Sequence, residues 1–508
     1  MEDGAFHMGC LQRLSKSQNT EGRQSRDKAR GLGGQKNTIN QSYRQSLWSI
    51  VNTGRYWEWL QFPTPGATIA TAPGRGFLPG NALIYWRNRM PGLLEGVRVL
   101  DLTHYIAGPY CTKLLSGLGA DVVKIEHPTR GDGVRWLGPF ASGNGEIPHS
   151  PPLRKGGAPP EDGAWFLYLN TAKQSVALDL QSPEGRRVLL EMATKADILV
   201  ENFAPGGMDS LGLSYSELKK ANPALVMTSI SNFGQTGPYR DWKASELNLY
   251  ALGGLMNITG EPEQEPLKEG MPLAQLGAGQ NAFAATMAAL MYAEETGEGQ
   301  QIDLAIAEYA TNILENALMQ FSYSGQEYSR VGNRGYGRAA WGIYPCLDGH
   351  VGIIAGPDHR WPEVARIMER EELSDPRFVS RSGRLENADE VDAYMLPFLV
   401  ENNKLDIFKA GQESGLGFSF VATMKDILEM EQLLDRDYFV ELDHPVAGKL
   451  TYPGAPIMPE EDVDAWVFQR APLLGEHTKS ALSSWLGYSD TQVSDLINQG
   501  VLTQGQGI

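Results

Sequence analysis

Two lysines, Lys173 and Lys243, and the dipeptide Asn202-Phe203 have the types and places to grip a ligand, because each falls in a loop beside an expected β-strand. Ammonium groups neutralise phosphate as point charges. With an amide and an aromatic ring beside them, they suffice to hold a phosphorylated adenine nucleotide. Taken alone, each lysine fits equally well as a solvated surface charge. The loop after the first expected strand, Thr103-His-Tyr-Ile-Ala-Gly-Pro109, carries no GxGxxG, and GxxxxGK[ST] does not occur in the chain. Neither a classical dinucleotide fingerprint nor a Walker NTPase is therefore expected. Cys10, Cys111 and Cys346 are an odd number without CxxC spacing, which gives no disulfide framework, no zinc ribbon and no metal site. A reducing, cytoplasmic setting is the expectation.

The chain has 508 residues, with 44 Lys and Arg against 61 Asp and Glu, a net charge of −17. That length predicts two to four domains with a sizeable buried core. The acidic balance excludes a phosphate-tracking surface, so no nucleic-acid partner is expected. The longest apolar stretch, Ala282 to Tyr292, is well short of the ~20 residues that span a bilayer. No membrane partner is expected either.

Short β-branched runs alternate with helical periods from Val97 onward, the signature of parallel strands joined by crossover helices. The expected strands are 97–102, 121–125, 175–180, 197–201, 225–231 and 300–306. Helices are expected at 109–118, from the Ser182-Pro183-Glu184 cap to about 195, from the Ser214–Glu217 capping box to Asn222, and over 280–295 and 308–323. The pattern is doubly wound α/β. After the glycine-rich Gly332-Asn-Arg-Gly-Tyr-Gly337, residues 331–425 read as a smaller α+β domain between 91–330 and 426–508. Its expected strands are 343–346 and 350–354 and its helices 361–370 and 388–401, with the return to the body beginning at Leu416–Ala422 and a helical tail from Ala481. Residues 1–45 carry eight Lys and Arg and four Asp and Glu among many polar residues and no apolar period. Residues 1–90 thus read as a disordered or non-native extension, with Met90 an alternative start.

Val99-Leu-Asp-Leu-Thr-His-Tyr-Ile-Ala-Gly-Pro109 with Leu118-Gly-Ala-Asp-Val-Val-Lys-Ile-Glu-His-Pro128 resembles the class III CoA-transferases, the CaiB/BaiF type that includes carnitine CoA-transferase and formyl-CoA transferase. Leu169–Ser175, Val200–Gly206, Gly253–Pro262 and Thr296–Asp303 agree in the same order. The resemblance implies a Rossmann-like large domain, a small domain and an interlocked dimer, with coenzyme A or acyl-CoA as substrate over the strand ends and a carboxylic acid as acceptor. Carried over by position, Tyr105, Ile106 and Ala107 line the adenine side, Lys173 reaches a phosphate, Asn202 and Phe203 hold the pantetheine and adenine region, and Lys243 contacts CoA. Ser210 stands where some members have an arginine. Gly335 and Gly337 fall in a flap that shields reactive intermediates. Arg334 and Arg338 beside it are suited to an acceptor carboxylate or to exposed loop charges.

In this family an aspartate within P-[LV]-A-D-x-G-x-G forms a mixed anhydride and then a CoA thioester. Here the segment is Pro272-Leu-Ala-Gln-Leu-Gly-Ala-Gly279, with Gln275 at the nucleophile's place. A neutral amide cannot do that chemistry. Glu246 matches a second acidic position of the family and reads as general acid or base, as displaced nucleophile, or as a partner of Lys243. Ser245 and Gln275 replace the histidine and aspartate of the racemase branch, whose mechanism is unsupported. Glu263, Glu265 and Glu269 are expected in an exposed loop. The leading expectation is the Asp-lacking subunit of a heterodimer with an Asp-bearing paralogue. A CoA-binding protein without catalysis and an active homodimer using Glu246 are the alternatives.

Overall fold

The computed structural model describes residues 92–141, 159–457 and 466–505. The expectations for residues 1–90 lie outside the described residues. The strands are β1 (Arg98–Leu102), β2 (Asp121–Glu126), β3 (Gln174–Leu178), β4 (Ile198–Glu201), β5 (Val226–Ser231), β6 (Gln301–Ala305), β7 (Trp341–Cys346), β8 (Gly349–Ile354), β9 (Gly417–Phe420), β10 (Phe439–His444), β11 (Gly448–Pro453) and β12 (Leu502–Thr503). Seven of them form one sheet in the order β12-β3-β2-β1-β4-β5-β6. All neighbours there are parallel except β12, which runs antiparallel to β3.

Strand alternation explains why this sheet is covered on both faces. Leu100 and Leu102 of β1 join a core with Val123, Ile125 and the Pro183–Ala193 and Thr478–Leu486 helices, whereas Val99 points to the opposite core with the Ala107–Gly117 and Leu273–Thr296 helices. The two helices on the second face approach closely because Gly279 lacks a side chain: a Cβ there would lie 2.4 Å from the Ala107 carbonyl oxygen. Caps fall where the sequence placed them, with Ser182 accepting from Gly185 N and Ser214 from Glu217 N.

Three expectations need correction. The small-residue helix starts at Leu273 rather than Gln280, which puts Gln275 in its first turn. The reason is a remote cap: Glu246 accepts from the amides of Ala274 and Gln275. The helix expected over 308–323 is broken into Ile306–Asn312 and Asn316–Ser324, with Glu315 at φ +50° between them. Leu416–Ala422 does not begin the return to the large sheet. β9 pairs with β8, completing a separate β7-β8-β9 sheet with its own core around Trp361, Phe378 and Phe418. The chain rejoins the large sheet only at β12, after the β10-β11 hairpin.

Strand order reverses between β1 and β4, so their C-terminal ends feed loops that diverge and leave a crevice. That crevice positions the candidate site.

Candidate functional site

The loop after β1 is clamped from three sides. Asp101 accepts from Thr103 N at 2.9 Å and from the Thr103 hydroxyl at 2.5 Å. Asn202, just after β4, bridges to His104 in both directions: its Oδ1 accepts from His104 N at 2.8 Å and its Nδ2 donates to His104 O at 2.7 Å. Asp132 accepts from Tyr105 N at 3.0 Å while Lys124 holds its other oxygen at 2.8 Å. Burial alone would raise the Asp132 carboxyl, but Lys124 and His104 keep it far below the usual carboxylate range. Held this way, Tyr105 sits at φ +65° and is 54% exposed. A non-glycine residue in that region is strained, and such strain collects at functional sites. Gly133 makes room for the ring, since a Cβ there would lie 2.6 Å from Tyr105 Cζ.

This loop forms one wall of a cleft of about 550 Å³. His104, Tyr105, Asn202 and Phe203 line it together with His127, Arg130 and Trp136. Three of the sequence-predicted residues thus meet there, and the buried Ile106 and Ala107 back the wall. Lys173 does not. Its ammonium is buried and donates to Asp101 Oδ2 (3.0 Å), Pro109 O (2.9 Å), Thr112 Oγ1 (2.7 Å) and Asn170 Oδ1 (2.9 Å), which leaves no donor for a phosphate. Burial pulls it down to about 8, against the pull of Asp101. Lys243 is exposed and is not among the cleft-lining residues. The cation the cleft does offer is Arg130, exposed at the rim and in no ion pair with a described residue. Its signal lay in the quoted segment's continuation, His127-Pro-Thr-Arg130 at the C-terminal end of β2. The Ser210 hydroxyl donates to Gly207 O.

The loop that walls the cleft continues, through Ile106 and Ala107, onto the helix that carries Gln275, which itself lines no part of the cleft. Gly279, one turn on and on the same helix face, abuts Ala107, and Leu276 packs on the cluster containing Ile106. Glu246 caps this helix, Oε1 accepting from Ala274 N at 2.8 Å and Oε2 from Gln275 N at 3.1 Å. Burial is the main cause that pushes the Glu246 carboxyl up; the two amides pull it down, and Glu269 facing it pushes it up again. Glu246 does not pair with Lys243, since none of the ion pairs among the described residues joins them. Glu269 departs from expectation. It was expected in an exposed loop, yet its side chain is only 12% exposed.

The glycine-rich segment packs on the small sheet. Gly335 N donates to Trp341 O at 2.9 Å, Gly332 N to Gly260 O at 3.0 Å, and Gly337 takes φ +62°. Arg334 is engaged by Asp389 at 2.6 Å through Nη2 and by Asp392 at 2.8 Å through Nε, so its charge is already met by two carboxylates. Arg338 instead stacks 3.8 Å over Trp341 and lines a pocket with Arg381 and Arg384. Arg384 is spent on three carbonyls and Asp358.

A doubly wound sheet with a nucleotide-sized cleft at its switch point, walled by a loop that packs at its far end on a long helix, defines a ligand-handling α/β protein of the Rossmann-like type. A family model, CoA-transferase family III, matches residues 94–478, and the chain belongs to that family. Mouse succinyl-CoA:glutarate CoA-transferase is 30% identical over 440 residues, covering 85% of this chain and 96% of the relative. Formyl-CoA:oxalate CoA-transferase of Bradyrhizobium diazoefficiens is 30% identical, covering 82% and 99%. The crystal structure of a CAIB/BAIF family protein from Brucella suis superposes with TM-score 0.68 at 30% identity over 78% of this chain and 100% of that one. No helix among the described residues is long and apolar enough to cross a membrane.

Proposed function

We propose that this chain moves CoA between an acyl-CoA and a carboxylic acid, and that its covalent carboxylate is not residue 275. The cleft takes the CoA nucleotide, with Tyr105, Ile106 and Ala107 on the adenine side and Arg130 and His127 toward phosphate. Asn202 and Phe203 flank the pantetheine, which runs inward to the N-terminus of the Gln275 helix. The observation that carries this is the junction itself: the helix bearing Gln275 and capped by Glu246 abuts the same Ile106–Ala107 loop that walls the cleft. Arg338 is the cation best suited to an acceptor carboxylate, since Arg334 is already paired. The relatives' names pair succinyl, formyl or acetyl donors with glutarate or oxalate, which makes small dicarboxylic acids the acceptors to try first.

Two readings of the catalytic step remain. As the Asp-lacking subunit, the chain needs an Asp-bearing paralogue in a heterodimer. As a self-sufficient enzyme, in an interlocked homodimer, it uses its own carboxyls. A specific observation favours the second: Glu246, which accepts from the Gln275 amide, faces a second partly buried carboxyl, Glu269. The deciding experiment is CoA exchange between succinyl-CoA and glutarate by the purified full-length chain. Exchange by the chain alone supports self-sufficiency; exchange only on co-expression with an Asp-bearing relative supports the subunit reading. Failure to bind CoA at all refutes both.

A further inference from the structure

Glu269 and Glu246 meet at the first turn of the Leu273–Thr296 helix. The two oxygens of Glu246 are taken by the amides of Ala274 and Gln275. Both carboxylate oxygens of Glu269 are buried without a hydrogen-bond donor. Lys268 Nζ is 3.9 Å from Glu269 Oε1, beyond hydrogen-bond reach. Two facing ionised carboxyls would leave these oxygens unsatisfied and repelling. One proton on the pair resolves this, because a protonated Glu246 keeps accepting from the helix amides while its hydroxyl donates to Glu269. Burial and the facing carboxyl both favour the proton on Glu246.

The arrangement leaves the Glu269 oxygens accepting from no backbone amide and facing the Glu246 side chain that caps the Gln275 helix. Residues 261–272 hold it there. The start of this stretch is sewn to the chain at and just before the glycine-rich segment, with Gly332 N donating to the O of the preceding Gly260 at 3.0 Å and Arg330 Nε donating to Glu261 O at 3.1 Å. We propose that Glu269 is the nucleophile that replaces the missing aspartate, with Glu246 as the acid and base that serves the leaving sulfur. This rests on the reading of the chain as self-sufficient.

The step balances with the groups present. A Glu269 oxygen attacks the thioester carbonyl, forming a C–O bond. The C–S bond breaks, and the sulfur takes the Glu246 proton. The products are a mixed anhydride on Glu269, the CoA thiol and an ionised Glu246 stabilised by two amides at the positive end of a helix. In return, Glu246 takes the thiol proton, and the thiolate attacks the glutamyl carbonyl of the anhydride. The donor acid leaves as its carboxylate, and Glu269 becomes a CoA thioester. An acceptor carboxylate then reverses both steps. Because the Glu269 oxygens are covered in the chain alone, attack requires residues 261–272 to yield when the thioester arrives.

The test uses the full-length chain with succinyl-CoA, trapping by hydroxylamine, digestion and tandem mass spectrometry. The expected result is a hydroxamate on Glu269, abolished in Glu269→Gln, together with a loss of exchange of about 10³-fold or more and CoA affinity within about threefold of the parent. Glu246→Gln should slow exchange while leaving a slower-forming hydroxamate on Glu269. A hydroxamate on Glu246, or exchange by Glu269→Gln within tenfold of the parent, overturns the assignment and leaves the transferase reading standing. Absence of exchange by the parent chain alone, with CoA still bound, overturns the self-sufficient reading and the assignment with it. Should Glu269→Gln fail to fold, Glu269→Asp serves: a shifted but surviving hydroxamate at residue 269 supports the proposal, and its absence with exchange intact refutes it.

Discussion

Replacing Lys173 by Met separates a structural role from a phosphate-binding one. Asp101 is fully buried on β1 and accepts from Thr103 N, the Thr103 and Thr112 hydroxyls, and the Lys173 ammonium at 3.0 Å. Removing the ammonium leaves a buried carboxylate short of its nearest cation, which typically costs about 3–5 kcal/mol. Lys124 Nζ stays at 3.8 Å from Asp101 Oδ1, so the lower half of that range applies. Pro109 O and Asn170 Oδ1 also lose a donor, and together we expect about 3–4 kcal/mol, roughly a 200- to 1000-fold change in the unfolding equilibrium. Urea denaturation followed by circular dichroism reads this. The Asp101→Asn/Lys173→Met double variant should recover part of the loss, because the uncompensated charge is gone. CoA affinity, measured calorimetrically below the transition, should change less than about threefold. A stability change under 1 kcal/mol with a tenfold or larger loss of CoA affinity would refute the buried-network assignment and restore Lys173 to the phosphate site.

Asn202→Ala should weaken CoA binding by about 10- to 100-fold, since both hydrogen bonds that hold His104 are lost; isothermal titration calorimetry checks this. Arg130→Ala should weaken CoA binding and flatten its salt dependence, whereas Lys243→Ala should do neither. Burial raises the Asp101 carboxyl, but Lys124, Lys173 and the threonine hydroxyls outweigh it and hold it at about 2, below its unfolded value near 4. The Asp101 contribution is thus complete above about pH 4 and is lost as pH falls toward 2, so acid titration of Asp101→Asn should show a shallower loss of stability across that window than the parent. Cys111 is fully buried, and burial with Asp101 nearby pushes its thiol up to about 12; site-resolved alkylation at pH 8 should label it only at the rate of unfolding.

Pattern and chemistry that repeat along the chain are legible without a structure. Alternation in β1 to β6, the Ser182-Pro183 and Ser214 caps, and the Ala388–Glu401 helix follow from local periods and turn chemistry, and they suffice for a doubly wound sheet. The family segments also led to the Thr103–Ala107 loop and to Asn202-Phe203, because short loops after parallel strands must lie at one edge of the sheet. Charge placement was not legible. A lysine in a loop has the same letter whether its ammonium meets water or a carboxylate, and only the closing of the sheet and the packing of the Ala107–Gly117 helix on it bring Asp101 and Thr112 to Lys173. The same holds at the reacting end. The composition of residues 261–270 reads as solvent-facing, yet the Glu246 cap moves the helix start back to Leu273, and Glu269 turns its side chain toward that capping carboxyl. Sequence determined which elements form and which family segments they carry, since those depend on neighbours a few residues apart. The tertiary structure alone decided which charges are buried together, because burial and pairing depend on residues such as Lys124 and Lys173, 23 and 72 positions from Asp101, that meet only when the sheet and its helices close.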